Sequence, residues 1–191
     1  DYIDAVRCTS GAACTPMNQM ARDQFVVLKY ENQEAELYGV DLSGRMPLAS
    51  TAAGDFGLQG LVNYTHGENR DTDDDLYNVM PLNATLTLTH KLGGWENGIE
   101  LVAAAAKDDV SGVRNEIKTA GYSVTNLRTS YSWEQVRVDV GVDNVFDKMY
   151  YEPLGGAYVG QGTTMGINSI PWGVGVPGMG RSVYAGITYR F

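Results

Sequence analysis

The chain has 191 residues, 14 basic against 23 acidic, a net charge of -9 and a pI of about 4.6. Such an acidic balance excludes nucleic acid as a partner, because phosphate neutralisation needs a basic surface. A mean hydropathy of -0.22 is far from that of a helical membrane protein, yet it leaves room for a transmembrane β-barrel, in which only alternate residues meet lipid.

Residues 1–24 mix small residues with one proline and keep no lasting period, so they read as a loop. Its cysteines, Cys8 and Cys14, are the only two in the chain. Their closeness points to an oxidising compartment and a local disulfide. A sharper reading groups Cys14 with Met17 and Met20, soft sulfur ligands at even spacing, as copper(I) would want. The first residue is Asp1 rather than Met, so the chain is expected to begin after processing or partway through a longer protein.

From Phe25 an extended run continues to about Met46, which a turn at 31–34 would split in two. Its second half alternates, with Tyr38, Val40, Leu42 and Met46 on one face and Asp41 and Arg45 on the other. Pro47 to Gly54 reads as a short turn. Phe56 to His66 then carries Phe56, Leu58, Val62 and Tyr64 on a single row, with aromatics near both ends, as interfacial girdles would be. The acidic stretch 67–80 reads as a solvated loop. Asp71, Asp73, Asp74 and Asp75 lack the glycine and distal glutamate of a helix-loop-helix calcium site.

Leu82, Ala84, Leu86, Leu88 and Leu92 alternate with threonines, Gly93-Gly94 turns the chain, and Trp95, Ile99 and Leu101 alternate with Glu96 and Glu100. After a charged loop at 107–121, Leu127, Thr129, Tyr131 and Trp133 oppose Asn126, Arg128 and Ser130. Past a tight turn at Glu134-Gln135, Val136, Val138, Val140 and Val142 alternate with Arg137, Asp139 and Asp143. The uncharged stretch Pro153 to Gly180 is broken by prolines and glycines, so it is a loop rather than a membrane helix. The last strand sets Val183, Ala185, Ile187, Tyr189 and Phe191 on one row and Arg190 on the other.

This gives an all-β, antiparallel chain of about seven strands. Short turns fall at one end and long loops (about 1–24, 67–80, 107–121 and 149–180) at the other, the asymmetry of bacterial outer-membrane barrels. Asp41, Arg45, Glu96, Glu100, Arg128, Arg137, Asp139, Asp143 and Arg190 are expected to face the lumen, since charge on the lipid face is costly. His66 and His90 fall on the outward row with no ligand-like neighbour, and no nucleophile or general-base pair marks an enzyme.

Three stretches resemble the C-terminal part of a TonB-dependent outer-membrane receptor. E-A-E-L-Y-G-V-D-L-S-G (34–44) is similar to one of the family's strands. V-D-V-G-V-D-N-V-F-D-K-M-Y-Y (138–151) matches its penultimate strand, with Val145 where Leu is usual. P-G-M-G-R-S-V-Y-A-G-I-T-Y-R-F (177–191) is similar to its last strand, with Met179-Gly180 inserted. The resemblance implies that all of 1–191 is a segment of a larger barrel, roughly 22-stranded, whose plug domain is absent from this chain. It implies a bacterial outer-membrane location and TonB-dependent uptake of a metal chelate, first of all a ferric siderophore. Copper or another soft metal is the alternative substrate, and a small self-contained barrel with an adhesin or enzyme role the alternative architecture. The implied partners are lipid, the remaining barrel and plug, the chelate, and the TonB complex acting through the absent N-terminal part; no cofactor or bound metal of its own is implied. By the same resemblance Tyr151, Tyr158, Gln161, Asn168 and Trp172, on the final loop, are candidate ligand contacts. Ile187, Tyr189 and Phe191 resemble the signal read by the barrel-assembly machinery.

Overall fold

The computed structural model describes residues 2–7, 28–157 and 173–191. The expectations resting on Cys8, Cys14, Met17, Met20, Tyr158, Gln161, Asn168 and Trp172 lie outside the described residues. Every regular element among the described residues is a strand.

β1 (Tyr2–Arg7) and β2 (Leu28–Gln33) form a two-stranded antiparallel sheet. The large sheet contains β3 (Ala35–Thr51), β4 (Gly54–Asn69), β5 (Asp74–Asp75), β6 (Asn83–Leu92), β7 (Trp95–Ala104), β8 (Tyr122–Ser132), β9 (Val136–Asp143) and β10 (Ser182–Tyr189). Its order is β10-β9-β8-β7-β6-β4-β3, a meander, with β5 folded back on the far end of β4. Turns are tight at 52–53, 93–94 and 133–135, whereas 70–82, 105–121 and 144–181 are long. Gly93 takes a φ of 57°, the left-handed conformation that a two-residue hairpin turn requires.

Some boundaries differ from the sequence expectation, and one falls where it was considered. Residues 2–7, read as loop, are a strand, because β2 supplies their partners. β2 and β3 part at Glu34, within the stretch where a turn was considered. Pro47 does not end β3: the pairing of β3 with β4 shifts between Pro47 and Ala49, and the strand runs on to Thr51. A bulge absorbs the irregularity, and a bulge is a setting in which a strand tolerates proline.

Register then fixes the faces, since directly paired residues share one. Val40, Leu42, Leu58, Val62, Leu86, Leu88, Ile99, Leu101, Leu127, Val140, Val183 and Ile187 lie on one face. Asp41, Arg45, Gln59, Thr85, Thr87, Glu96, Glu100, Asn126, Arg128, Arg137, Asp139 and Asp143 lie on the other. The apolar face is the open one: Val40 is 67% exposed, Leu42 68%, Val183 70% and Ile187 77%. On the polar face Asn126 and Ser130 are buried. A sheet packed in water would show the reverse arrangement.

Val140→Arg puts a charge in the middle of the apolar face and is expected to block barrel assembly, at about 2–4 kcal/mol for a midplane arginine. Asp139→Asn removes one exposed ion pair, worth about 0–1 kcal/mol, and should assemble normally. Heat-modifiable electrophoretic mobility reads both, and the opposite ranking would invert the faces.

Candidate functional site

The polar face is organised by charge pairs that cross strands. A row of direct partners, Gly57, Thr89, Gly98, Arg128, Gly141 and Tyr184, places Arg128 between two glycines. With no side chain on either flank, its guanidinium spreads sideways. It pairs with Glu100 at 3.2 Å and Asp143 at 3.3 Å and donates to the Tyr184 hydroxyl. The Tyr184 ring in turn covers Gly141, where a Cβ would collide with it. A second network links Lys91 to Glu96 at 2.7 Å, Glu96 to Arg137 at 3.4 Å, and Arg137 to Asp139 at 2.8 Å. Asp41 accepts from the Asn63 amide. Within the large sheet, Arg45 is the basic residue with no ion pair among the described residues. It lines a groove of about 500 Å³ with Ser43, Gln59, Thr85, Thr87 and Glu100. These side chains are half exposed, so each pair adds little stability. Their effect is to keep the charges on one face.

At the end with the long connections, 70–82 and 105–121 lock together. Lys107 is buried at 1% exposure, its Nζ 2.6 Å from Glu116 and 2.9 Å from the Val79 carbonyl. Glu116 also accepts the Asn78 N–H at 3.0 Å and the Ser111 N–H at 2.9 Å. Asp74 accepts from the Ser111 hydroxyl and the Gly112 and Val113 N–H groups at 2.9 to 3.1 Å. Asp75 accepts the Val110 N–H, and Asp71 the Glu34 N–H. The acidic stretch is therefore not a solvated loop: Asp71, Asp74 and Asp75 are occupied in tying down backbone. No group of three potential metal ligands of the His, Cys, Asp and Glu kinds occurs among the described residues. Arg114 ties the smaller sheet to this cap, 3.5 Å from Asp4 and stacked on Tyr77 and Tyr30.

A cleft of about 240 Å³ opens beside the lock, lined by His66, Asp75, Met80, Lys107 and Asp109 among others. Burial, then the nearby Asp109 charge, raises the Asp75 pKa above the ordinary carboxylate range. A raised carboxylate pKa favours the folded cap at acid pH, and that contribution fades as pH rises through the raised value. Asp75→Asn should therefore tighten the cap at neutral pH and flatten its response just above the usual aspartate range. Its side-chain oxygen can still accept from Val110. Amide exchange of 105–121 against pH measures this, and an unchanged profile would count against it.

The N-V-F-D-K stretch closes the third connection. Asn144, 3% exposed, takes a left-handed φ of 48°. Its Nδ2 donates to the Lys148 and Met179 carbonyls at 2.8 and 3.1 Å, and its Oδ1 accepts the Lys148 N–H at 2.9 Å. Its own N–H donates to Asn126 Oδ1 at 2.9 Å. Asp147 accepts the Arg181 N–H at 2.8 Å. These roles could have been suspected from the sequence, since asparagine tolerates that backbone conformation better than most residues. Tyr151 pairs with Pro177, and its ring sits against Gly175. Ile187, Tyr189 and Phe191 lie on the open face or at its end, with the last two rings 5.1 Å apart. His66 and His90 stack on Tyr38 and Phe56 of the apolar face at 5.2 and 4.8 Å.

An antiparallel meander with an exposed apolar face, an internally paired polar face, tight turns at one end and a locked cap at the other is a wall segment of a membrane-spanning β-barrel. The model of the family described as TonB dependent receptor-like, beta-barrel matches residues 1–145. The chain belongs to that family, one of receptor barrels rather than enzymes, whose bacterial members reside in the outer membrane. No curated protein matches it. Among solved structures it is similar to the copper transporter OprC, with a TM-score of 0.77 and 24% identity over 100% of this chain. The chain spans 28% of the length of that transporter, and the likeness is one of fold.

Proposed function

We propose that this chain forms part of the barrel wall of a receptor that takes up a metal chelate across the bacterial outer membrane, driven by the TonB complex. A ferric siderophore is the first substrate class. The observation that supports the reading is the family membership of a sheet whose open apolar face is the one lipid would cover. On this reading the polar face looks into the lumen. Asp41, Arg45, Glu96, Glu100, Arg128, Arg137, Asp139, Asp143 and Arg190 then meet the plug or one another, and the remaining barrel pairs with the edges of β3 and β10. The cap faces outward, and Tyr151 stands on the loop that would meet the chelate.

Copper or another soft metal is the second reading. It is favoured by the chain's own sulfur: Met149 and Met179 are exposed at 70% and 68%. The similar fold named above is that of a copper transporter. Growth of a receptor-deletion strain on single iron chelates and on limiting copper separates the two. Loss on one source, restored by the gene, supports uptake and names the cargo. No defect on any source would sink it.

A further inference from the structure

A tight turn pins the register of its hairpin, but β9 and β10 are joined by the connection 144–181, too long to do so through turn geometry. The apolar row does not choose a register either. A slip of one residue would turn that row to the wrong face, yet a slip of two keeps every face. On β9 the row is Val136, Val138, Val140 and Val142, so after a two-residue slip β10 still meets valine. The polar row does choose. Along β9 it reads Arg137, Asp139, Gly141 and Asp143, and Gly141 is directly paired with Tyr184. The Tyr184 ring lies in the space a Cβ at Gly141 would take. A two-residue slip in either sense would set Tyr184 opposite Asp139 or Asp143, where a side chain already stands. Gly186, on the same face of β10, has nothing within 4 Å of its Cβ position and selects nothing.

We propose that Tyr184 seated on Gly141 sets the register of the last hairpin, so that β10 enters the barrel at one position among several its apolar row would accept. The same contact recurs beyond the strands. The Tyr150 ring lies over Gly178, whose N–H donates to the Tyr150 carbonyl at 2.8 Å. A Cβ at Gly175 would stand 2.8 Å from the Tyr151 ring. In each case a tyrosine of one limb fills the space left by a glycine of the other. β10 ends the sheet, so its register fixes the level at which its outer edge offers hydrogen bonds to the remaining barrel. This role presupposes the barrel wall proposed above but not its cargo. A parent receptor that never assembles would sink the wall reading, whereas altered register in variants bears on Tyr184 and Gly141 alone.

The test reads register in the full-length receptor, expressed in its membrane with Cys8→Ser and Cys14→Ser. Ala185→Cys is combined with Val140→Cys, its direct partner, or with Val138→Cys or Val142→Cys, the partners after a slip. Disulfide yield is measured on the heat-modifiable, assembled fraction, because a diagonal neighbour lies too far for a disulfide. Gly141→Ala should cut the yield of the direct pair roughly tenfold, the scale of an overpacked position, whereas Gly186→Ala should leave it unchanged. Tyr184→Ala should let the slipped pairs form beside the direct one. Adding Tyr184→Ala to Gly141→Ala should bring the direct pair back to the level of Tyr184→Ala alone. Tyr184→Phe keeps the ring and should behave as the parent. A direct pair that alone forms in Tyr184→Ala, or a Gly141→Ala receptor as sound as Gly186→Ala, would overturn the proposal. So would a double variant that fails as Gly141→Ala does, since the glycine would then serve the backbone. Slippage in Tyr184→Phe equal to that in Tyr184→Ala would overturn the ring's role and assign the effect to the hydrogen bond from Arg128.

Discussion

Asn144→Ala is expected to destabilise the assembled barrel by about 3–5 kcal/mol. Three side-chain hydrogen bonds are lost, at roughly 1 kcal/mol net each, and the part-buried carbonyls of Lys148 and Met179 are left without that donor. Alanine must also hold the left-handed backbone that asparagine tolerates, at roughly 1 kcal/mol more. Asn144→Gly should regain only the backbone part. Asn144→Asp keeps an acceptor for Lys148 but turns a carboxylate toward two carbonyls, and should be nearly as damaging as alanine. Urea unfolding midpoints in detergent give the order, and protease nicking of 144–157 gives the location. An alanine variant as stable as the parent would mean that the N-V-F-D-K stretch is held by something other than this side chain.

Lys107→Met should open two connections at once. The change leaves Glu116 buried without its cation and the Val79 carbonyl without its donor; breaking a buried pair on one side costs about 3–5 kcal/mol. Glu116 is shared, since it also holds the N–H groups of Asn78 and Ser111. Amide protection should therefore fall together in 76–80 and 107–116, although the two segments belong to different connections. Asp108→Ala, at an exposed neighbour, should change neither. Exchange mass spectrometry reads the outcome, and loss confined to one segment would show that the two are not one cap.

Much of the wall was legible because a strand facing lipid on one side must alternate. Leu82 to Leu92, Val136 to Val142 and Val183 to Tyr189 each announce a strand and its faces from residue type alone. The split near Glu34 and the unequal lengths of the connections were legible too, from acidic residues and glycines. What the chain order hides is anything set by register between strands. Arg128, Glu100, Asp143 and Tyr184 could each be assigned to the polar face, but only the observed pairing brings them onto one guanidinium. Pro47 misled for a local reason: proline usually closes a strand, and the bulge beside it lets β3 continue. The acidic run misled for a distant one, because the N–H groups that occupy Asp74 and Asp75 come from 110–113.

The open apolar face sets the medium in which this chain can be handled. Each valine, leucine or isoleucine left on it in water forgoes about 1.5–3 kcal/mol of burial. Two copies made without lipid would press these faces together as the halves of a sandwich do, while the edges of β3 and β10 recruited further strands. Synthesis in an aqueous compartment should thus yield aggregates rich in β structure. Recovery should depend on an amphiphile whose tails are long enough to cover the rows from Val40 to Met46 and from Val183 to Tyr189. A detergent is then no mere additive for this protein, for it supplies the other half of a core that the polypeptide does not contain.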